Sequence, residues 1–111
     1  MNIIVLDKND IIIAPKEAAS LINKKIKSSQ NTLEVKGTSE IDDNLIIILE
    51  QTAPLINSKY EYVIVEFQFS GIEELTSKIR ERYDYDHLLI STFQISNKSW
   101  AIFRKSLKSN F

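Results

Sequence analysis

Residues 60–69, Tyr-Glu-Tyr-Val-Ile-Val-Glu-Phe-Gln-Phe, alternate so regularly that only an extended chain accommodates them. Val63, Val65, Phe67 and Phe69 fall on one side and Tyr60, Tyr62, Ile64, Glu66 and Gln68 on the other, because successive side chains of a strand point to opposite faces. A strand of this kind needs partners, and the rest of the chain supplies them. Residues 2–6 read as a buried strand, since Ile3, Ile4 and Val5 are consecutive and β-branched. Asp7-Lys8-Asn9-Asp10 reads as a polar turn, and Ile11-Ile12-Ile13 resumes the strand signal, either as a hairpin or as an extended lead into a helix. Residues 32–36 alternate Leu33 and Val35 with polar neighbours and are broken by Gly37-Thr38-Ser39-Glu40.

Residues 41–53 admit two structures. Asp42 or Asp43 could cap a helix carrying Leu45, Ile48, Leu49 and Thr52. Three successive isoleucines favour extended structure, so 45–50 is expected to be a central strand, and Pro54 ends either version. At the other end, 88–95 and 99–105 read as two strands joined by Ser96-Asn97-Lys98.

Two segments carry helical spacing instead. In 15–29, Ala18, Leu21, Ile22 and Ile26 recur on one side, Pro15 suits a first turn, and Lys24, Lys25 and Lys27 sit at the end the helix dipole favours. In 71–83, Ile72, Leu75, Ile79 and Tyr83 form the expected inner stripe, with Glu73 and Glu74 in the first turn. Adjacent strands interrupted by two helices predict a single α+β domain. The expected architecture is a mainly antiparallel mixed sheet of about five to seven strands with both helices on one face, and 106–111 as a frayed tail.

Composition narrows function by exclusion. A length of 111 residues, 43% of them hydrophobic and 26% charged, suits one globular domain and argues against disorder. Cysteine is absent, which removes disulfides, thiol catalysis and thiolate zinc sites. Neither of the two glycines has another nearby, so phosphate-loop and dinucleotide signatures are missing. The N-terminus lacks a basic lead, and the longest aliphatic run, 45–49, is five residues against the ~20 that span a bilayer. A soluble, cytoplasmic protein without membrane contact is expected.

The one histidine, His87, lies in Tyr83-Asp84-Tyr85-Asp86-His87. A metal reading would use Asp84, Asp86 and His87, but strand geometry points the acids away from the ring, and a solvated turn explains them better. Pairing Ser91 with His87 for nucleophilic catalysis fails on distance, about 13 Å along a strand. Glu66 is the best single candidate for acid–base work, since partial burial could raise its pKa. A pocket lined by Glu66, Tyr62 and a second carboxylate would favour an enzyme. Tyr60, Tyr62 and Phe69 could stack bases and Lys98, Arg104 and Lys105 could meet phosphates. The net charge of −1, with Glu61, Glu66 and the 40–43 acids, disfavours a polyanion.

Shape and charge remain. Arg80-Glu81-Arg82-Tyr83-Asp84-Tyr85 concentrates two of the residue types that dominate interface hot spots. Glu40-Ile41-Asp42-Asp43 offers an acidic loop to a basic partner. The expectation is a non-enzymatic cytoplasmic protein-binding module, concretely a bacterial inhibitor or immunity protein covering a basic toxin domain. Its partner-binding residues would be Glu40, Asp42, Asp43, Arg80, Arg82, Tyr83, Asp84 and Tyr85, with no catalytic residue, metal or cofactor. The alternatives are a small enzyme or ligand-binding protein using carboxylates and tyrosines, and a structural subunit or homodimer joined through the 99–105 strand edge.

Overall fold

Two three-stranded antiparallel sheets and three helices make up the chain in a computed structural model that describes residues 2–29, 33–51 and 60–106. In chain order these are β1 (Asn2–Leu6), α1 (Lys8–Ile13), α2 (Pro15–Ser28), β2 (Leu33–Ile41), β3 (Asn44–Gln51), β4 (Tyr60–Glu66), α3 (Ile72–Asp84), β5 (His87–Ile95) and β6 (Lys98–Ser106). The first sheet has the order β1-β3-β2 and the second β4-β6-β5. The α+β class and antiparallel pairing agree with the sequence pattern. The isoleucine run of β3 is indeed a central strand, hydrogen-bonded on both sides.

The sequence pattern misplaces several details. Residues 8–13 are helical, not a turn and a strand: Asp7 accepts from the Asp10 amide at 2.9 Å and Asp10 accepts from the Asp7 amide at 3.0 Å, a reciprocal cap that starts α1 and buries Ile11. Gly37 does not end β2, which passes through a bulge between Val35 and Gly37 and runs on to Ile41. β1 is an edge strand whose outer face stays open, leaving Ile3 and Val5 56% and 60% exposed. Asp42 and Asp43 cap no helix; with φ of 52° and 62° they form the two-residue turn between β2 and β3. Ser96 and Asn97 (φ 53° and 62°) do the same between β5 and β6. Ser106 belongs to β6, paired with Tyr60, and is not part of a frayed tail. Pro54, Thr32 and 107–111 lie outside the described residues.

The two long helices serve different cores rather than one shared face. Ala18, Ala19, Ile22 and Ile26 of α2 join Leu6, Ile11, Leu33, Val35, Leu45, Ile47 and Leu49 of the first half. They meet Tyr62, Ile64, Phe93, Ile95, Trp100 and Ile102 from one face of the second sheet. Phe67, Ala101 and Phe103, flanked by Val63, Val65 and Leu89, form a smaller core on the opposite face, where Leu75 and Ile79 of α3 pack. α3 is a thin cover with no buried residue; Ile72, expected on its inner stripe, is 76% exposed.

β2 and β5 run side by side in the same direction without a ladder. Thr38 Oγ1 donates to Ser91 Oγ at 2.9 Å and the Gln94 amide donates to Glu40 at 3.0 Å. Each strand carries a register shift near this seam, between Val35 and Gly37 and between Leu89 and Ser91. Bulges twist an edge away from its neighbour, which accounts for two sheets in place of one.

Candidate functional site

β6 lies between β4 and β5, so the 99–105 edge expected to join a homodimer is internal. The outer edge of the second sheet is β4, and helix α2 lies against it. Antiparallel pairs alternate between hydrogen-bonded and non-bonded positions. The Phe67 amide bonds to the Ser99 carbonyl at 2.8 Å, so the odd-numbered residues of β4 face β6 and the even-numbered ones face outward. Tyr62 meets a side chain there. The Asn23 carboxamide donates to the Tyr62 carbonyl at 3.0 Å and accepts from the Tyr62 amide at 2.8 Å. One helical side chain thus supplies both bonds that a neighbouring strand would supply. Among the described residues, the outward backbone groups of Ile64 and Glu66 have no such partner.

Around that edge lies a cleft of about 1060 Å³. Lys16, Ala19, Ser20, Asn23, Lys24 and Lys27 form its helical wall, and residues 60–66 form the other. Glu61, Tyr62 and Glu66 all line it, which is the inventory set out above for an enzyme. The geometry departs from that reading. Tyr62 is 1% exposed, and its hydroxyl is occupied as acceptor from the Val35 amide at 3.1 Å. Glu66 is exposed and held by Lys98 at 3.8 Å and Gln68 at 2.9 Å, so the partial burial expected of it is missing. Glu61 and Glu66 are five positions apart on opposite faces of a strand, about 16 Å, beyond the ~5–9.5 Å of a working carboxylate pair.

Beside the cleft, Glu34 contacts Lys36 and sits 3.7 Å from Arg104, whose guanidinium stacks 5.1 Å over the Tyr60 ring. Burial pushes the Tyr60 phenol up, Tyr62 and Glu34 push it further, and Arg104 opposes them. The Glu34 carboxylate, by hydrogen bond and charge, raises the Lys36 ammonium. This cluster ties the start of β2 to β4 and β6. The expected base-stacking platform does not assemble: Tyr62 is in the core, Tyr60 is half-buried under Arg104, and Phe69 packs with Phe67 on the opposite side.

The eight residues expected to bind a partner fall into two places. Asp42 and Asp43 are exposed at the β2–β3 tip, and Glu40 just before it is tied to Gln94 near the end of β5. Arg80, Arg82, Tyr83, Asp84 and Tyr85 gather where α3 passes into the start of β5. Nine-residue β5 separates the groups by about 26 Å. Arg82 is engaged, stacked 5.2 Å over Phe103. Tyr83 and Tyr85 are 66% and 71% exposed, and among the described residues neither phenol makes a hydrogen bond or ring contact. His87 turns Nδ1 to the Tyr85 carbonyl at 3.0 Å and its ring edge to Phe103, and Ser91 is bonded to Thr38. Among the described residues no group of three or more His, Asp or Glu side chains could hold a metal ion, and no helix is long and apolar enough to cross a membrane.

The sequence places Lys24, Lys25 and Lys27 at the dipole-favoured end of α2 and marks neither Asn23 nor the cleft. No local signal marks Asn23, since its partner is 39 positions away. Comparisons of the chain with protein-family models, with curated proteins and with solved structures find no match.

Proposed function

We propose that the chain is a protein-binding module of the inhibitor or immunity type, working in the cytoplasm by covering the surface of a basic partner protein. The observation that carries this reading is the pair Tyr83 and Tyr85, largely exposed at the α3–β5 junction beside exposed Arg80 and Leu88. Large amphipathic rings that the fold leaves uncovered match the residue types that supply most binding energy at interfaces, where truncating one costs about 2 kcal/mol or more. The acidic tip Asp42-Asp43 lies toward the other end of β5. A standard interface of ~800 Å² per partner is roughly 30 Å across, wide enough for one basic partner to reach both places. The tip then steers encounter by charge, and the tyrosines hold the docked complex.

The test is affinity purification of the tagged chain from its source cells, followed by expression of the retained protein alone and together with the chain. The reading expects a stoichiometric partner, toxic by itself and silenced by the chain. It expects Tyr83→Ala/Tyr85→Ala to weaken binding about 100-fold or more, and Asp42→Asn/Asp43→Asn to slow association in a salt-dependent way. A partner bound equally well by both variants, or harmless when expressed alone, refutes it.

A further inference from the structure

We infer that the α2–β4 cleft is a second docking site, independent of the tyrosine patch, and that it takes an extended acidic segment of a partner protein as an added strand on β4. Three observations lead there. The first is the unpaired edge: beyond Tyr62, Ile64, itself only 4% exposed, and the exposed Glu66 turn their amides and carbonyls away from β6, and among the described residues nothing pairs with them. Strand addition gains its affinity from such main-chain groups. The second is Asn23, which already performs this pairing at Tyr62 with its carboxamide. The fold thus closes one position of the edge with a side chain and leaves the next two to a visitor.

The third observation identifies the visitor by charge. Lys16, Lys24 and Lys27 stand on the cleft-facing side of α2, all exposed, and among the described residues none belongs to an ion pair. The acids on the strand wall are offset: Glu66 is held by Lys98, and Glu61 lies across from Lys105 on β6. A segment lying between the walls therefore meets free ammonium groups on one side and main-chain donors and acceptors on the other. The volume, about 1060 Å³, sits at the top of the ~300–1,000 Å³ range of small-molecule clefts and suits a run of peptide.

The experiment uses the full chain, isotopically labelled, with three seven-residue peptides: alternating glutamate and threonine, the same with lysine for glutamate, and the glutamate peptide N-methylated at alternate amides. The glutamate peptide is expected to protect the Ile64 and Glu66 amides from hydrogen exchange. The lysine and N-methylated peptides are expected not to. Lys16→Glu/Lys24→Glu/Lys27→Glu, folded by circular dichroism, should bind the glutamate peptide at least about tenfold more weakly. The inference is overturned if the N-methylated peptide binds as well as its parent, if the lysine peptide binds as well or better, or if the glutamate peptide fails to bind at millimolar concentration. It is also overturned if oligothymidylate displaces the peptide, or if the two amides are already protected by self-association of the free protein. The peptide controls need no protein variant, so a misfolded triple mutant leaves the result decisive.

Discussion

Replacing Asn23 by alanine measures what the carboxamide contributes at the β4 edge. The side chain is partly buried and satisfies the Tyr62 amide at 2.8 Å and the Tyr62 carbonyl at 3.0 Å. Leaving a buried backbone group unpaired costs about 1–3 kcal/mol each; the adjoining cleft admits water, so the lower end applies, roughly 2–3 kcal/mol for the two. Alanine returns about 0.6 kcal/mol through better helix propensity. The expected net loss is therefore about 1.5–2.5 kcal/mol, a fall in Tm of roughly 6–10 °C at ~4 °C per kcal/mol for a domain of this size. Urea unfolding followed by far-UV circular dichroism should show a lower midpoint with an unchanged slope. Asn23→Asp sharpens the test, because it keeps an acceptor for the Tyr62 amide but sets a carboxylate against the Tyr62 carbonyl. That carboxyl is better tolerated protonated, so its folded pKa lies above its unfolded value. The folded state then binds more protons, and the stability deficit of Asn23→Asp shrinks as pH falls through the folded pKa towards ~4. A loss below about 0.5 kcal/mol for Asn23→Ala, or a pH-independent deficit for Asn23→Asp, refutes the view that this side chain closes the edge.

Further outcomes follow from other parts of the fold. Changing Ser96-Asn97 to Asn-Gly should raise stability by about 1 kcal/mol in thermal unfolding, since both positions hold left-handed backbone that L-residues adopt at a cost. Gly71, at φ 116°, has nothing within 4 Å of an added Cβ; Gly71→Ala should nonetheless cost about 1 kcal/mol or more, because the backbone itself is unsuited to alanine. The Glu74 carboxyl accepts from the Ser70 hydroxyl at 2.6 Å and amide at 3.1 Å and pairs with Lys78 at 3.1 Å. The Ser70 bonds chiefly, with Lys78, hold it below the usual glutamate range. A depressed folded pKa means this contribution is present above the unfolded pKa and lost as pH falls through the folded value. Carboxyl NMR titration should show the midpoint rising in Ser70→Ala; an unmoved midpoint contradicts the assignment.

Apolar spacing is enough to place α2, α3 and the strands read at 60–69, 88–95 and 99–105, although β4 ends at Glu66; β3 is read as a strand from its three successive isoleucines, against a helical alternative, rather than from spacing. α1 escaped since Ile11, Ile12 and Ile13 are β-branched and suggest extended chain, while the deciding contact is a reciprocal bond between two aspartates. Gly37 looked like a stop and is part of a bulge, a distinction set by the neighbouring strand. Tyr83 shares a helical stripe with Leu75 and Ile79 but does not pack on the core they cover and is exposed, while the adjacent Arg82 stacks over Phe103. The exposed acids of the β2–β3 turn were legible from composition. The cleft was not, because it exists only once a helix from the first third of the chain lies along a strand made much later.

That same arrangement governs how the protein emerges during synthesis. The Val35 amide waits for the Tyr62 hydroxyl, and the apolar side of α2 waits for Ile64. A nascent chain ending after β3 therefore has its first sheet and α2 but only the first-half part of the core they share. A chain cut before β4 lacks the Tyr62 hydroxyl that the Val35 amide bonds and the Tyr62 and Ile64 side chains that complete the core around α2.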